Sequence, residues 1–531
     1  MSTWDEAVLD ILREIVGLDA YAVLAYGSRV AGYAGPDSDY DYIYIVDGFK
    51  PKIKYIYREV GGTYISILVV DKSFLEEDIY LGAHGEFVAG RLYSVFNPLL
   101  NGEYIRNLEA ILKKRAILEE LRLLKLKYGR LLKYMRIPTK YFLLARLKKR
   151  IMAYPPVKYS YYKTFYGDKG VENLRKSIEG FNIAASELAA DGLFEYEDGY
   201  IYDILLDKIP SSLTEIFKYL FRGVAMYFTH GRSASVTLDV VFDEVRGKVR
   251  RGVRSIRIPR ELDNPEILLQ MSGIYFSAES IDMDELVKTL FGYKAEIKSF
   301  YRAGILSNLY ILDVEVDGEH KRLVVKSFPL LSVIIKWIWL VIWLYGLKRF
   351  TLNPWERMYR EVDGLVTLER NGFNVPKVYA VVWGDRLVVE EYIGGIRLDK
   401  VKEGFEAFYR MAGEMIGEIH SRLDVTIGDT KPQNFIVKGD RVYLVDLEQF
   451  NTDKCYEWDV VELALYTLIF FRRFRDRFKI MSSIIEGYIN SNPSYSQVFE
   501  NLLRFRMILA FLPLIPPNIY RDLKKIVRKY I

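Results

Sequence analysis

Lys326 lies inside the apolar strand KRLVVKSF, and that placement constrains the chain more than any other feature of its sequence. A run of this composition and length reads as a buried strand. A buried ammonium is costly unless an anion or a ligand faces it. The helical pattern RMYREVDGLVTLERNGF supplies an anion, Glu361. Strand and helix must then pack so that the two side chains meet. More polar residues follow at ordered positions. RLVVEEYIGG reads as a strand running into a hinge, and FEAFYRMAGEMIGEIHSR as a helix. Next come the loop Gly428-Asp429-Thr430-Lys431-Pro432-Gln433-Asn434 and the strand YLVDLEQF, which ends near Asp446.

This set resembles the protein-kinase-like fold, two-lobed, over roughly residues 286 to 531. The resemblance implies that Lys326 holds the α- and β-phosphates of ATP with Glu361 as its partner. It implies that Asp429 is the catalytic-loop base, and that Asn434 and Asp446 bind Mg2+ or Mn2+. Lys431, two residues after Asp429, is placed to offset charge on the γ-phosphate. Glu390, Glu391 and Tyr392 would present backbone groups to adenine, with no role argued for their side chains. The glycine-rich loop is reduced to RAGILSNLY, where Gly304 is the one glycine. Asp446 is followed by Leu-Glu, and the chain passes almost directly to Trp458-Asp459. These departures look like the atypical small kinases: RIO kinases, the KEOPS-complex kinase and lipopolysaccharide kinases. Without an activation segment, ATP hydrolysis, autophosphorylation and transfer to a small molecule stand level with protein phosphorylation.

A second constellation lies near the start of the chain. Gly27-Ser28-Arg29 follows the apolar run YAVLAYG, and Asp39-Tyr40-Asp41 opens the next run, YDYIYIV. Carboxylates at i and i+2 on a strand face one way and repel unless a cation lies between them. A Gly-Ser turn can offer backbone N–H groups and a hydroxyl to a phosphate. The pattern resembles the polymerase-β superfamily of nucleotidyltransferases over roughly the first hundred residues. The resemblance implies a mixed sheet, with Gly27 and Ser28 on the nucleotide and Asp39 and Asp41 on the metal. That family usually adds a third carboxylate on the following strand. TYISILVV offers Ser66 there, with Asp71 at the strand end as a substitute.

Between these parts, residues 101 to 285 read as mostly helical. About residues 158 to 205 form a helix followed by a hairpin turning at Asp198-Gly199, which resembles a winged helix. Arg122 to Arg150 holds eleven Lys or Arg and no acid, and Arg246 to Arg260 holds seven and none. Such blocks suggest nucleic acid as a partner, the alternative being a solvated helix face. Residues 329 to 347, PLLSVIIKWIWLVIWLYGL, are apolar on every side apart from Lys336. A crossing there would put Lys326 and Glu361 on opposite sides of a bilayer, so the segment is expected to lie in a membrane interface or against protein.

One cysteine and four scattered histidines exclude disulfides within the chain and thiolate or histidine metal clusters. Only four glutamines and many ion-pairing residues suit a thermophilic archaeon. The N-terminal helix is acidic and amphipathic, unlike a cleavable signal, so the expected compartment is cytoplasmic, peripheral to the membrane if residues 329 to 347 bind one. The expectation is a multidomain α+β chain: a nucleotidyltransferase-like domain over 1–100, a helical, basic middle over 101–285 and an atypical kinase-like domain over 286–531. Its function would be Mg-ATP-dependent phosphotransfer joined to nucleotidyl transfer. The rival is a nucleic-acid-binding regulatory ATPase with a degenerate nucleotidyltransferase scaffold.

Overall fold

The computed structural model describes residues 3–209, 258–303, 308–329, 350–470, 474–492, 498–499, 521 and 524–529. Gly304, almost all of 329–347 and most of the basic run 246–260 lie outside them. The chain divides into two compact units, Met1–Lys127 with Leu132–Gln270, and Tyr128–Leu131 with Met271–Ile531.

In the first unit, α1 (Thr3–Val16) precedes β1 (Ala22–Tyr26), α2 (Gly27–Ala31), β2 (Tyr40–Val46), β3 (Ile53–Val60), β4 (Thr63–Asp71), α3 (Lys72–Leu81) and β5 (Asn97–Leu100). The strands form one mixed sheet in the order β3-β4-β2-β1-β5, in which β2 and β4 run parallel. Tyr42, Tyr44, Val46, Ile67 and Val69 pack on Leu12 of α1. Ile43, Ile45, Leu68 and Val70, on the opposite face, are buried as well. Both faces are covered, so these strands read as unbroken apolar runs.

Four longer helices follow: α4 (Gly102–Tyr128), α5 (Thr139–Ala153), α6 (Val157–Tyr166) and α7 (Gly170–Ala190). Strand β6 (Met135–Pro138) lies before α5, and the hairpin β7 (Glu195–Glu197) and β8 (Tyr200–Tyr202) follows α7. Asp198 and Gly199 turn that hairpin with φ of 50° and 79°, the pair of positive values that a two-residue turn of this kind needs. Strand β8 also pairs with β6.

The basic run from Arg122 to Arg150 is largely engaged with protein. Arg146 is buried against Glu119 at 2.6 Å and Glu120 at 3.0 Å, and Lys149 pairs with Glu120 at 2.6 Å. Lys140 pairs with Glu261, and Lys127 with Glu266. Lys125 donates to the carbonyls of Leu206 and Ile209, both at 2.7 Å. Arg150 donates to Tyr161 and to the Glu86 carbonyl. The acids that neutralise the run lie outside it, Glu119 and Glu120 just before it and Glu261 and Glu266 well after it, so a window of sequence makes it look more exposed than it is.

A two-residue strand, β9 (Gln270–Met271), lies at the boundary between the units. The second unit has a six-stranded sheet in the order β10-β14-β15-β13-β12-β11. Its strands are β10 (Tyr275–Ser277), β11 (Glu296–Arg302), β12 (Leu309–Val316), β13 (Glu319–Ser327), β14 (Val378–Val382) and β15 (Leu387–Glu391). Strand β10 pairs parallel with β14, which carries this unit's sheet back to residue 275. Asp317 and Gly318, at φ of 51° and 86°, turn β12 into β13. Leu323 and Val325 point into a core shared with Leu312, Val314, Ala380 and Val389. Lys326, one step out of that alternation, faces the other way.

Helix α8 (Arg260–Asp263) belongs to the first unit, and α9 (Met283–Phe291) covers the core of the second. Helix α10 (Pro354–Arg370) starts with Pro354 in its first turn and an Asn353 side chain that accepts from Trp355 N at 3.0 Å, a strong N-terminal stop. A small sheet β16-β17-β18 (Ile396–Arg397, Phe435–Lys438, Arg441–Leu444) is joined by α11 (Phe405–Leu423), α12 (Tyr456–Phe470) and α13 (Phe474–Ser491). Among the described residues no helix is long and apolar enough to cross a membrane.

Candidate functional site

The meeting that Lys326 demands does take place. Its ammonium pairs with Glu361 of α10, a side chain with no solvent exposure, and lies 3.3 Å from Glu390 of β15. The second oxygen of Glu361 accepts the Leu447 backbone N–H at 2.6 Å. Glu361 thus ties strand β13 to the segment that carries Asp446. Glycine at 364 lets α10 approach that segment, because a Cβ there would press on Leu447 and Phe450. Arg357, one turn before Glu361, binds Glu448 through Nε at 3.0 Å.

The electrostatics follow from burial of several acids around one lysine. Burial alone would lower the Lys326 ammonium, but Glu361, Glu390 and Asp446 together outweigh it and raise it above the ordinary lysine range. Burial pushes the Glu361 carboxyl up to about 8 and raises Glu390 as well. The two acids titrate together beside one lysine. Burial also takes Glu448 to about 7, with Arg357 opposing.

Asp429 forms a second centre. Its carboxylate binds the Lys431 ammonium at 2.9 and 3.1 Å, and Lys431 also reaches within 4.0 Å of Glu462. The Asn434 amide nitrogen donates to the Asp429 carbonyl at 3.0 Å. Val445 N bonds the Asn434 carbonyl at 2.8 Å, which sets Asn434 beside Asp446. Asp446 itself has a φ of 72°, a conformation that non-glycine residues rarely adopt. With its nitrogen donating to Asp429, the Asn434 amide keeps its oxygen, a neutral acceptor, for a cation. An amide oxygen and a carboxylate side by side suit a hard divalent ion that takes its remaining ligands from phosphate and water. Among the described residues no three His, Cys, Asp or Glu side chains are grouped to hold a metal ion.

The loop around Asp429 is held from below by residues whose role the sequence reading did not assign. Asp459, in the first turn of α12, accepts from Ile427 N at 2.7 Å and Gly428 N at 2.8 Å. His420 lies between Asp459 and Tyr488, at 2.9 Å from each, all of them buried. Glu462, one turn on, accepts Thr430 N at 2.8 Å and Trp458 Nε1 at 3.1 Å. An aspartate in a helix's first turn followed by a glutamate at i+3 was the available signal. Glu391 is less open to a nucleotide than expected: its N–H bonds the Lys377 carbonyl at 2.8 Å and its side chain accepts from Lys377 N.

In the first unit Gly27 has a φ of 83°, and a Cβ there would run into the Asp41 carboxylate. The Gly-Ser turn therefore lies directly against Asp41. Asp39 comes just before β2 begins at Tyr40. Ser66 is the register partner of Asp41 on β4, and Asp71 that of Val46. Ser66 and Asp71 are five positions apart along the strand, roughly 16 Å. Asp71 is also occupied elsewhere: it caps α3 through Ser73 N and Phe74 N, and it pairs with Lys52 at 2.7 Å. Asp71 therefore does not lie beside Asp41.

Residues 353–459 match the RIO domain family. Glu361, Asp429, Lys431, Asn434, Asp446 and Asp459 fall within that stretch, and Lys326 precedes it. That stretch lies within the second unit. The chain is 31% identical over 115 residues to the KEOPS complex subunit Bud32 of Pyrococcus abyssi (strain GE5 / Orsay), covering 21% of this chain and 52% of that protein. It therefore spans about half the length of this curated relative. Two solved structures resemble it at 13% identity. One is amicoumacin kinase hAmiN in complex with AMP-PNP, Ca2+ and Ami (TM-score 0.28; 47% of this chain, 93% of that one). The other is the Rio2 kinase–ADP/Mg2+–phosphoaspartate complex from Chaetomium thermophilum (TM-score 0.25; 54% and 84%).

Proposed function

We propose that the second unit transfers the γ-phosphoryl group of Mg-ATP. The observation that carries this reading is the buried link Lys326–Glu361–Leu447 N, formed in a chain whose residues 353–459 match an atypical-kinase family. Lys326 neutralises phosphate charge, Asn434 and Asp446 hold the metal, and Asp429 orients or deprotonates the acceptor. Lys431, paired with Asp429, is placed to meet the transferred group. Mg2+ would neutralise the phosphate oxygens. The hydrogen bonds from the loop to Asp459 and Glu462 hold Asp429 in place. Because the matched relative is named as a complex subunit, a protein partner is part of the proposal.

For the first unit we infer a nucleotidyltransferase-like sheet in which Gly27, Ser28, Asp39 and Asp41 bind a nucleotide and its metal. Ser66 beside Asp41, with Asp71 committed to α3, favours a second reading: a nucleotide-binding scaffold with weak or no turnover. The engagement of Arg122–Arg150 with internal partners weighs against nucleic acid along that run. The test is to incubate the purified protein with α-labelled or γ-labelled ATP, Mg2+ and a cell extract. Label carried from the γ position supports the kinase reading, and label from the α position supports nucleotidyl transfer. Neither label carried, with no ATP hydrolysis, rejects both activities.

A further inference from the structure

Arg130 belongs to the second unit, within residues 128–131, although it lies far ahead of the rest of that unit in sequence. These residues meet α10 along one face. Tyr128 is fully buried, its ring centroid 4.7 Å from that of Trp383 and 5.6 Å from that of Phe276. Trp383 in turn stacks at 4.9 Å on Trp355, in the first turn of α10. Gly129, at a φ of 56°, lies so close to Tyr359 that a Cβ would come within 2.8 Å of its ring. Arg130 bonds the buried Asp363 at 3.4 Å with one terminal nitrogen and the Thr452 hydroxyl at 2.8 Å with the other. Tyr359 and Asp363, at i and i+4, share one face of α10. Arg357, Glu361 and Gly364 form the opposite face, which meets Leu447, Glu448 and Phe450.

We propose that residues 128–130 brace α10 from this side, and that Arg130 is a positioning residue that keeps Glu361 against Lys326 and Leu447. This rests on the kinase reading of the second unit. A helix held along one face can still turn about that line of contact. A bond on the other face stops the turn. Arg130 supplies that bond through Asp363, and it anchors the helix to Thr452, five residues after Leu447 in the same segment. One guanidinium thus joins α10 to the chain after Asp446 a second time. Its planar fork suits a residue that bonds a carboxylate and a hydroxyl at once, a geometry that a lysine ammonium does not reproduce. The sequence places Arg130 in a basic block that suggests nucleic acid or solvent as its partner. Its bonds to Asp363 and Thr452 instead make it part of the phosphotransfer unit, well ahead of residue 286, where the sequence begins that domain.

The experiment measures kcat/KM for γ-labelled ATP with the full-length protein, well below the unfolding transition of each variant, so that a loss of stability alone does not enter. Arg130→Ala should lower kcat/KM about tenfold. Arg130→Lys and Thr452→Val lose the same bond, the one to the Thr452 hydroxyl, and each should fall about threefold. The decisive comparison adds Arg130→Ala to Glu361→Gln. Because Arg130 acts through Glu361, the added substitution should cost less than about twofold once that link is already weakened. Losses that multiply overturn the proposal, as does wild-type turnover in Arg130→Ala. Should Arg130→Ala not fold, Arg130→Lys and Thr452→Val decide, and wild-type values in both overturn it equally. Asp446→Asn separates the brace from the reading beneath it. Undiminished turnover in that variant rejects the kinase assignment and the proposal with it. If Asp446→Asn loses turnover while Arg130→Ala keeps it, only the brace fails.

Discussion

Glu361 accepts the backbone N–H of Leu447 at 2.6 Å with the carboxylate oxygen that Lys326 does not use. One buried side chain therefore sets the distance between the strand lysine and the residue next to Asp446. Displacement of α10 would disturb Lys326 and the segment that carries Asp446 together.

Removing Glu361 should cost stability as well as activity. Glu361→Ala leaves a buried ammonium and a buried N–H without their partner, which costs about 3–5 kcal/mol when one member of a buried pair is removed. Glu361→Gln keeps an acceptor for Leu447 and should cost less. Denaturant unfolding of both variants checks the order, and an alanine variant as stable as wild type would contradict the pairing.

Asp446→Asn should lower Mg-dependent ATP turnover on the order of 100-fold, because it removes the one full negative charge of the Asn434–Asp446 pair. Turnover of γ-labelled ATP, titrated with Mg2+, is the measurement. Undiminished activity in Asp446→Asn would sink the kinase assignment.

Asp459→Asn should loosen the loop that carries Asp429. The carboxylate accepts two backbone N–H bonds and faces His420, and hydrogen bonds to a charged group are worth about 1.5–3 kcal/mol each. Turnover should fall more than nucleotide affinity does, since Lys326 and Glu361 are untouched. Equal losses in both would place Asp459 in nucleotide binding instead.

Asp71→Asn tests whether that carboxylate is structural. Burial alone would raise Asp71, but Lys52, Ser73 and the Phe74 N–H outweigh it and hold it below its ordinary value of 3.8. A carboxyl lowered in the folded state contributes stability that is present above its unfolded value and lost as the pH falls through the folded one. Wild type should therefore lose this contribution on acidification below about pH 3.8, and Asp71→Asn should lack that portion of the acid dependence. Asp71→Ala, which removes the cap, should cost about 1 kcal/mol at neutral pH. Thermal melts against pH provide both readings, and a stability unchanged at neutral pH would remove the capping role.

Much of the second unit's candidate site was legible because its chemistry is local. The Lys326 strand, the Asp429-x-Lys431-x-x-Asn434 loop and the Asp446 strand end are short segments whose polar residues interrupt apolar runs. The tight turn at Asp198-Gly199 was legible for the same kind of reason, since few residue pairs tolerate two positive φ values. Glu390 was not, because a glutamate beside a hinge is ordinary in sequence. It becomes unusual only when the register of β13 and β15 sets it at the lysine.

The sequence by itself determined which segments form strands and helices, and it determined that Lys326 needs an anion. Hydrophobic period and turn residues act over a few neighbours, and a buried charge must be answered somewhere. Only the tertiary structure decided which groups answer which charges. It put Asp71 on Lys52 and α3, away from Asp41. It spent much of the Arg122–Arg150 run on acids outside that run, and it brought two glutamates to one lysine. Those pairings join residues far apart in the chain, and their energies depend on distance and burial, which the order of residues does not contain.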